Sequence, residues 1–139
     1  MHTTNDAFVS NKRLWASRIL AGLAVAFLTF DAVIKLARLT PAVEGTVQLG
    51  YQPGVILGIG LVEIVCVLAY AIPRTAILGA VLLTGYLGGA IATHVRVGSP
   101  LATHVLFPIY VAALLWGALL LRGRLRGLLA APPARHAVV

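Results

Sequence analysis

The chain of 139 residues has one cysteine, one methionine and four acidic residues. A lone thiol, Cys66, excludes an internal disulfide, a CxxC redox pair and a thiolate zinc site. Cys66 lies inside an apolar run and reads as a small buried hydrophobe. Charge is scarce: 11% of residues are charged, against about 25% in soluble domains. There is no Gly-rich nucleotide loop, P-loop, HExxH or nucleophile elbow. Ser10, Ser17 and Ser99 have no acid–base setting in the sequence. Nothing supports a soluble enzyme.

What the chain has in excess is apolar surface. It is 60% hydrophobic, with a mean hydropathy of +0.95. So short and apolar a chain has too few polar residues to cover a water-soluble core, so the bilayer is its natural solvent. Four apolar segments stand out, near Ser17–Leu36, Gly54–Ile72, Thr75–Thr93 and Leu101–Leu121. Each is close to the ~20 residues that cross a ~30 Å hydrocarbon core. Pro73-Arg74 separates the second from the third, and Gly98-Ser99-Pro100 the third from the fourth. Such short links make successive helices antiparallel neighbours. The expected fold is all-α: a polytopic membrane four-helix bundle, up-down-up-down. Residues 1–16 form an N-terminal tail, 17–121 the four-span domain and 122–139 a basic C-terminal tail. The first span reads as a retained helix, because Arg18 leaves too short a core for a cleaved signal.

Thr40-Pro41 reads as an N-cap and N1 pair, and Gly50 as a stop. A short interfacial helix or an ordered loop is therefore expected between the first two spans. Gly85, Gly88, Gly89 and Ala92, Gly54 and Gly58, and Ala113 and Gly117 are expected to mark close helix contacts.

The net charge is +7. Its placement flanks the apolar runs, with no basic stripe interleaved with aromatics, which argues against nucleic acid. Lys12, Arg13, Arg18, Arg74, Arg122, Arg124, Arg126 and Arg135 fall on one side of the membrane; Lys35, Arg38 and Arg96 fall on the other. Eight against three places both termini in the cytoplasm. Trp15 and Trp116 are then expected towards the cytoplasmic interface.

The most informative residues are the polar ones at depth. Ala-Thr-His-Val occurs twice, at Ala92–Val95 and Ala102–Val105, and His94 and His104 are equidistant from residue 99 in the turn between. In an antiparallel hairpin, both imidazoles then share one height, about 7.5 Å from the turn. Lys35 lies about 6 Å from the outer end of its span, Asp31 about 12 Å and Glu63 about 14 Å. An outer layer of Lys35, His94 and His104 above an inner layer of Asp31 and Glu63 is expected. Asp31 and Lys35 are spaced i,i+4 and can pair. Glu63 has no cation at i±3 or i±4 in its own helix. Ionisable groups at such depth face inward and pair, because each costs ~2.5–3.5 kcal/mol on insertion. All five belong to the outer half or the midplane, which points to a polar cavity opening outward. Two histidines without further ligand spacing are a weak metal or haem signal, and no metal site is assigned.

The stretches "FDAVIKL" (Phe30–Leu36), "QLGYQP" (Gln48–Pro53), "GLVEIVCVLAYAIPRTAILGAVLLTGYLGGAIATHVRVGSP" (Gly60–Pro100) and "HVLFPIYVAALLWG" (His104–Gly117) together resemble the DoxX-like membrane proteins. The resemblance covers nearly everything from the first span to the last. It implies a four-helix protein of the bacterial inner membrane. The family name comes from quinone-linked sulfur oxidation, and some relatives are associated with redox or thiol-stress partners. Lys35, Glu63 and His94 match recurrent polar positions of the family.

Two functions remain in view. One is a redox-accessory subunit binding a small ligand in the outward cavity; a quinone is the candidate cofactor, and Asp31, Lys35, Glu63, His94 and His104 are the candidate ligand-binding residues. The other is a non-enzymatic scaffold, assembly factor or small permease. The candidate partners are membrane lipid, redox-complex subunits and a second copy of the chain. No autonomous catalytic motif identifies an enzyme. The basic asymmetry makes the first prediction: reporters fused at Val139 and within the Thr40–Pro53 loop should give opposite signals, Val139 on the cytoplasmic side. A periplasmic Val139 would overturn the orientation.

Overall fold

The computed structural model describes residues 3–123, with side chains from residue 11. Arg124, Arg126 and Arg135, assigned above to the C-terminal tail, lie outside the described residues. The helices are α1 (Thr3–Leu36), α2 (Thr40–Gln48), α3 (Val55–Ala71), α4 (Ala76–Arg96) and α5 (Phe107–Leu121), with a π-helical turn at Leu101–Val105. The fold is the expected all-α membrane bundle with a short helix after the first span. Asn11–Leu36, Ala76–Arg96 and Leu101–Leu121 are long and apolar enough to span; α3 is apolar but shorter, at 17 residues. Pro73 sets its end. Ile72, just before the proline, takes an extended conformation with ψ 121°.

The four long helices close a ring in which α1 packs on α3 and α5, and α4 packs on α3 and α5. The core inside is small and aliphatic. Ala24, Leu28, Ala80, Leu83, Leu115 and Ala118 are each at most 1% exposed. The outer faces carry Ile19 and Leu23 on α1, Leu61 and Val65 on α3, and Leu78 and Leu82 on α4, all exposed. A soluble bundle would not leave such stripes bare; in lipid they are the solvated face. With its apolar helices, the chain is a multi-pass membrane protein.

Two expectations about local chemistry need correction. The N-cap of α2 is Leu39 in extended conformation, not Thr40, and no side chain caps it; Pro41 stands within the first turn. Leu39 arrives already engaged, its N–H bonded to the Ile34 carbonyl of α1. The fourth span is also not one regular helix. Pro108 has no N–H to offer the His104 carbonyl, so the ladder restarts at Phe107 and the preceding residues form the π-turn. Gly50 does end α2, at φ 84°.

The small residues act differently from expectation. A Cβ at Gly54, Gly58, Gly85, Gly88 or Gly89 would meet nothing within 4 Å, and at Gly117 only Leu20 at 3.7 Å. The tight crossings lie elsewhere. A Cβ on Gly60 would come 3.0 Å from Lys35 Cβ and 3.3 Å from the Ala32 carbonyl oxygen. One on Gly79 would fall on the backbone of Tyr70. Sequence alone does not say which face a small residue presents. Accordingly, Gly79→Ala should destabilise the bundle by about 1–3 kcal/mol through overpacking, while Gly88→Ala should be nearly neutral. Thermal unfolding in detergent measures both, and equal effects would refute the assigned crossing.

Candidate functional site

At the same end of the bundle as α2, the helices leave a cavity of about 1120 Å³. α2 covers it with Pro41, Ala42 and Gly45, and Gly85 and Gly89 of α4 line it. These glycines therefore make room rather than contact. Asp31, Lys35, Glu63, His94 and His104 all stand in its wall, so the structure brings the five sequence-selected residues to one space.

They form two clusters. In the first, the Lys35 ammonium donates to Asp31 Oδ2 at 2.6 Å, Glu63 Oε2 at 2.8 Å and the Tyr86 hydroxyl oxygen at 2.8 Å. Tyr86 donates its own proton to Glu63 Oε2 at 2.8 Å. The Lys35–Asp31 contact is the expected i,i+4 pair. Glu63, wholly buried, finds its cation on another helix through the α1–α3 crossing at Gly60.

The second cluster is the histidine pair. The rings are 5.3 Å apart between centroids, as the equal-height reading requires. His94 Nδ1 shares a hydrogen bond with Ser99 Oγ at 3.0 Å, and His104 Nδ1 one with Thr103 Oγ1 at 2.8 Å. The turn that places Ser99 is a helix stop: Gly98 has φ 69°, and the Ser99 N–H bonds the His94 carbonyl. With each Nδ1 engaged, Nε2 is the nitrogen left to meet a ligand.

Lys35 does not join the histidines in an outer layer. Its Cα lies nearer the outer end, but three acceptors draw the ammonium down to the acids. In apolar surroundings a charge sits where it is neutralised. Tyr86 is the residue the sequence reading missed. Glu63 and Tyr86 stand at nearly equal distances from the Pro73-Arg74 turn, the same signal that pairs the histidines.

Two further contacts fix the cavity's cover. Tyr51 and Thr93 share a hydroxyl hydrogen bond of 2.9 Å, and Arg96 donates to the Leu49 carbonyl at 2.8 Å. At the other end of the bundle, polar groups bond within the protein. Buried Ser17 donates to the Ala118 carbonyl and accepts from Arg122, and Tyr70 donates to the Leu115 carbonyl. Trp116 also turns inward. It packs partly against the core, and its indole N–H donates to the exposed Thr84 Oγ1 at 2.9 Å.

The sequence model of the DoxX-like family matches residues 19–118, and the chain belongs to that family. No curated protein and no solved structure matches it. The matched range holds every residue of both clusters.

Lys35 is the shared partner of two carboxylates, and its removal strands both. Lys35→Met should destabilise the fold by about 3 kcal/mol or more. Adding Asp31→Asn and Glu63→Gln should recover most of that loss. Detergent melting curves of the single and triple variants decide this; additive effects would show that the groups do not form one unit.

Proposed function

We propose that this DoxX-like chain is a ligand-binding subunit of the bacterial inner membrane, with both termini cytoplasmic, that accompanies redox partners. Its outward-facing cavity takes a small amphipathic molecule, and a quinone is the ligand class that fits best. The observation that carries this reading is the cavity itself. Its volume of about 1120 Å³ is at the upper end of small-molecule sites, which run to roughly 1,000 Å³. Apolar residues such as Phe27, Ile34, Val62 and Phe107 make much of its wall, with the ionic groups and histidines gathered in two clusters and a few further polar side chains such as Gln48 and Tyr51 near the cover. That arrangement suits a ring and the start of an isoprenoid tail, with oxygen atoms meeting the histidine Nε2 atoms. Neither cluster resembles a catalytic centre with a nucleophile, so the chain's own part is to bind and orient. Electron transfer falls to a partner.

The test is compositional. Protein purified in mild detergent and extracted with organic solvent should yield a quinone in near-stoichiometric amount by mass spectrometry. Gly85→Leu with Gly89→Leu, which fills the cavity from α4, should purify without it. A ligand-free wild-type protein would return the chain to the scaffold or permease reading.

A further inference from the structure

The hydrogen-bonding capacity of the cavity floor is one-sided. Lys35 has three N–H donors, and each has an acceptor: Asp31, Glu63 and Tyr86. The single Tyr86 proton goes to Glu63. With both carboxyl groups ionised, no donor of the cluster is left over. Of the carboxylate oxygens, Asp31 Oδ2 and Glu63 Oε2 take these bonds. Glu63 Oε1 is the only buried side-chain polar atom among the described residues without a partner. Asp31 Oδ1 accepts nothing from the cluster either, and the Asp31 side chain keeps 30% exposure. The formal charge is one ammonium against two carboxylates. The other ionisable groups of the wall are Tyr51, which bonds to Thr93, and His94 and His104, which bond to Ser99 and Thr103.

We infer that the cavity selects a ligand whose head donates hydrogen bonds to this floor, so that of a quinone and its hydroquinone it holds the reduced form. The inference rests on the quinone reading above. A quinone carbonyl presents lone pairs, which would face carboxylate oxygens across an apolar space. A hydroquinone presents O–H groups, which supply the donor that the floor lacks. Asp31 is reached first. Glu63 is fully buried, so a head group reaches its unpartnered Oε1 only if the side chains around it move. At the other end, a neutral imidazole Nε2 donates or accepts according to tautomer, so the histidines accept either form. The preference is therefore set by Asp31 and Glu63.

The experiment uses the full chain in detergent under anaerobic conditions, titrated with a short-chain benzoquinone, its hydroquinone and the hydroquinone's dimethyl ether. The hydroquinone should bind roughly tenfold more tightly than the other two, or better, as expected for hydrogen bonds to charged acceptors. By linkage, each tenfold preference raises the midpoint potential of the bound two-electron couple by about 30 mV. Asp31→Asn with Glu63→Gln, which exchanges acceptors for amides, should abolish the preference. The wild-type ratio stands as a test by itself if that variant fails to fold. Equal affinities, tighter quinone binding, or displacement of the hydroquinone by a lower concentration of a primary alkylammonium would overturn the inference and leave the cavity as a ligand site. Failure of all three ring compounds to bind would overturn the quinone reading as well.

Discussion

The ammonium of Lys35 is the point on which the α2 half of the bundle depends. It joins α1, α3 and α4 by contacts of 2.6–2.8 Å to Asp31, Glu63 and Tyr86. Insertion of three ionisable groups costs on the order of 8–10 kcal/mol if each is counted separately. That is comparable to the whole stability of a typical domain, about 5–15 kcal/mol. The groups are tolerable only as a unit. The unit in turn requires the close α1–α3 approach at Gly60, which brings Glu63 beside a lysine 28 residues away. It also requires Tyr86 from the helix diagonal to α1, whose hydroxyl both accepts from Lys35 and donates to Glu63.

The two ends of the bundle solve different problems. At the end holding Ser17 and Arg122, hydrogen bonds run to main-chain carbonyls or between neighbouring side chains, and alanines and leucines fill the space. At the other end, glycines on α4 withdraw side-chain volume from the wall, and α2 lies across the gap. Glycine in a membrane bundle thus has two opposite uses here. At Gly79 it lets backbones meet, and at Gly85 and Gly89 it keeps them from being filled in.

Much of this was legible before any coordinates. Span lengths and the two proline-containing turns define the helices. The i,i+4 spacing gives the Asp31–Lys35 pair, and equal distance from residue 99 gives the histidine pair. The same rule, applied to Pro73-Arg74, would have found Tyr86, but a tyrosine inside an apolar run does not stand out as a histidine does. Other features were not legible for physical reasons. A lysine's Cα height does not fix where its flexible side chain ends. A glycine carries no mark of the face it presents, and a tryptophan at a helix end does not reveal which hydroxyl of a neighbouring helix, here Thr84, will take its N–H. The π-turn required knowing that Pro108 would interrupt the ladder just where His104 needed its bond.

The floor and the cover of the cavity differ in how much change they tolerate. The floor is built on helix interiors, where moving one charged group exposes another to apolar surroundings; its geometry is over-determined. The cover is a nine-residue helix held by a hydroxyl pair between Tyr51 and Thr93 and by Arg96 on the Leu49 carbonyl. Those are neutral or water-accessible bonds, individually worth about 0.5–1.5 kcal/mol. Isolated helices of that length are marginal without packing. Substitution in α2 therefore alters the cover far more readily than the floor. The carboxylates sit where the fold itself resists drift, because the bundle cannot rearrange Asp31 and Glu63 without losing the Lys35 neutralisation that lets them stay in the membrane; the histidines are held only by single hydrogen bonds to Ser99 and Thr103.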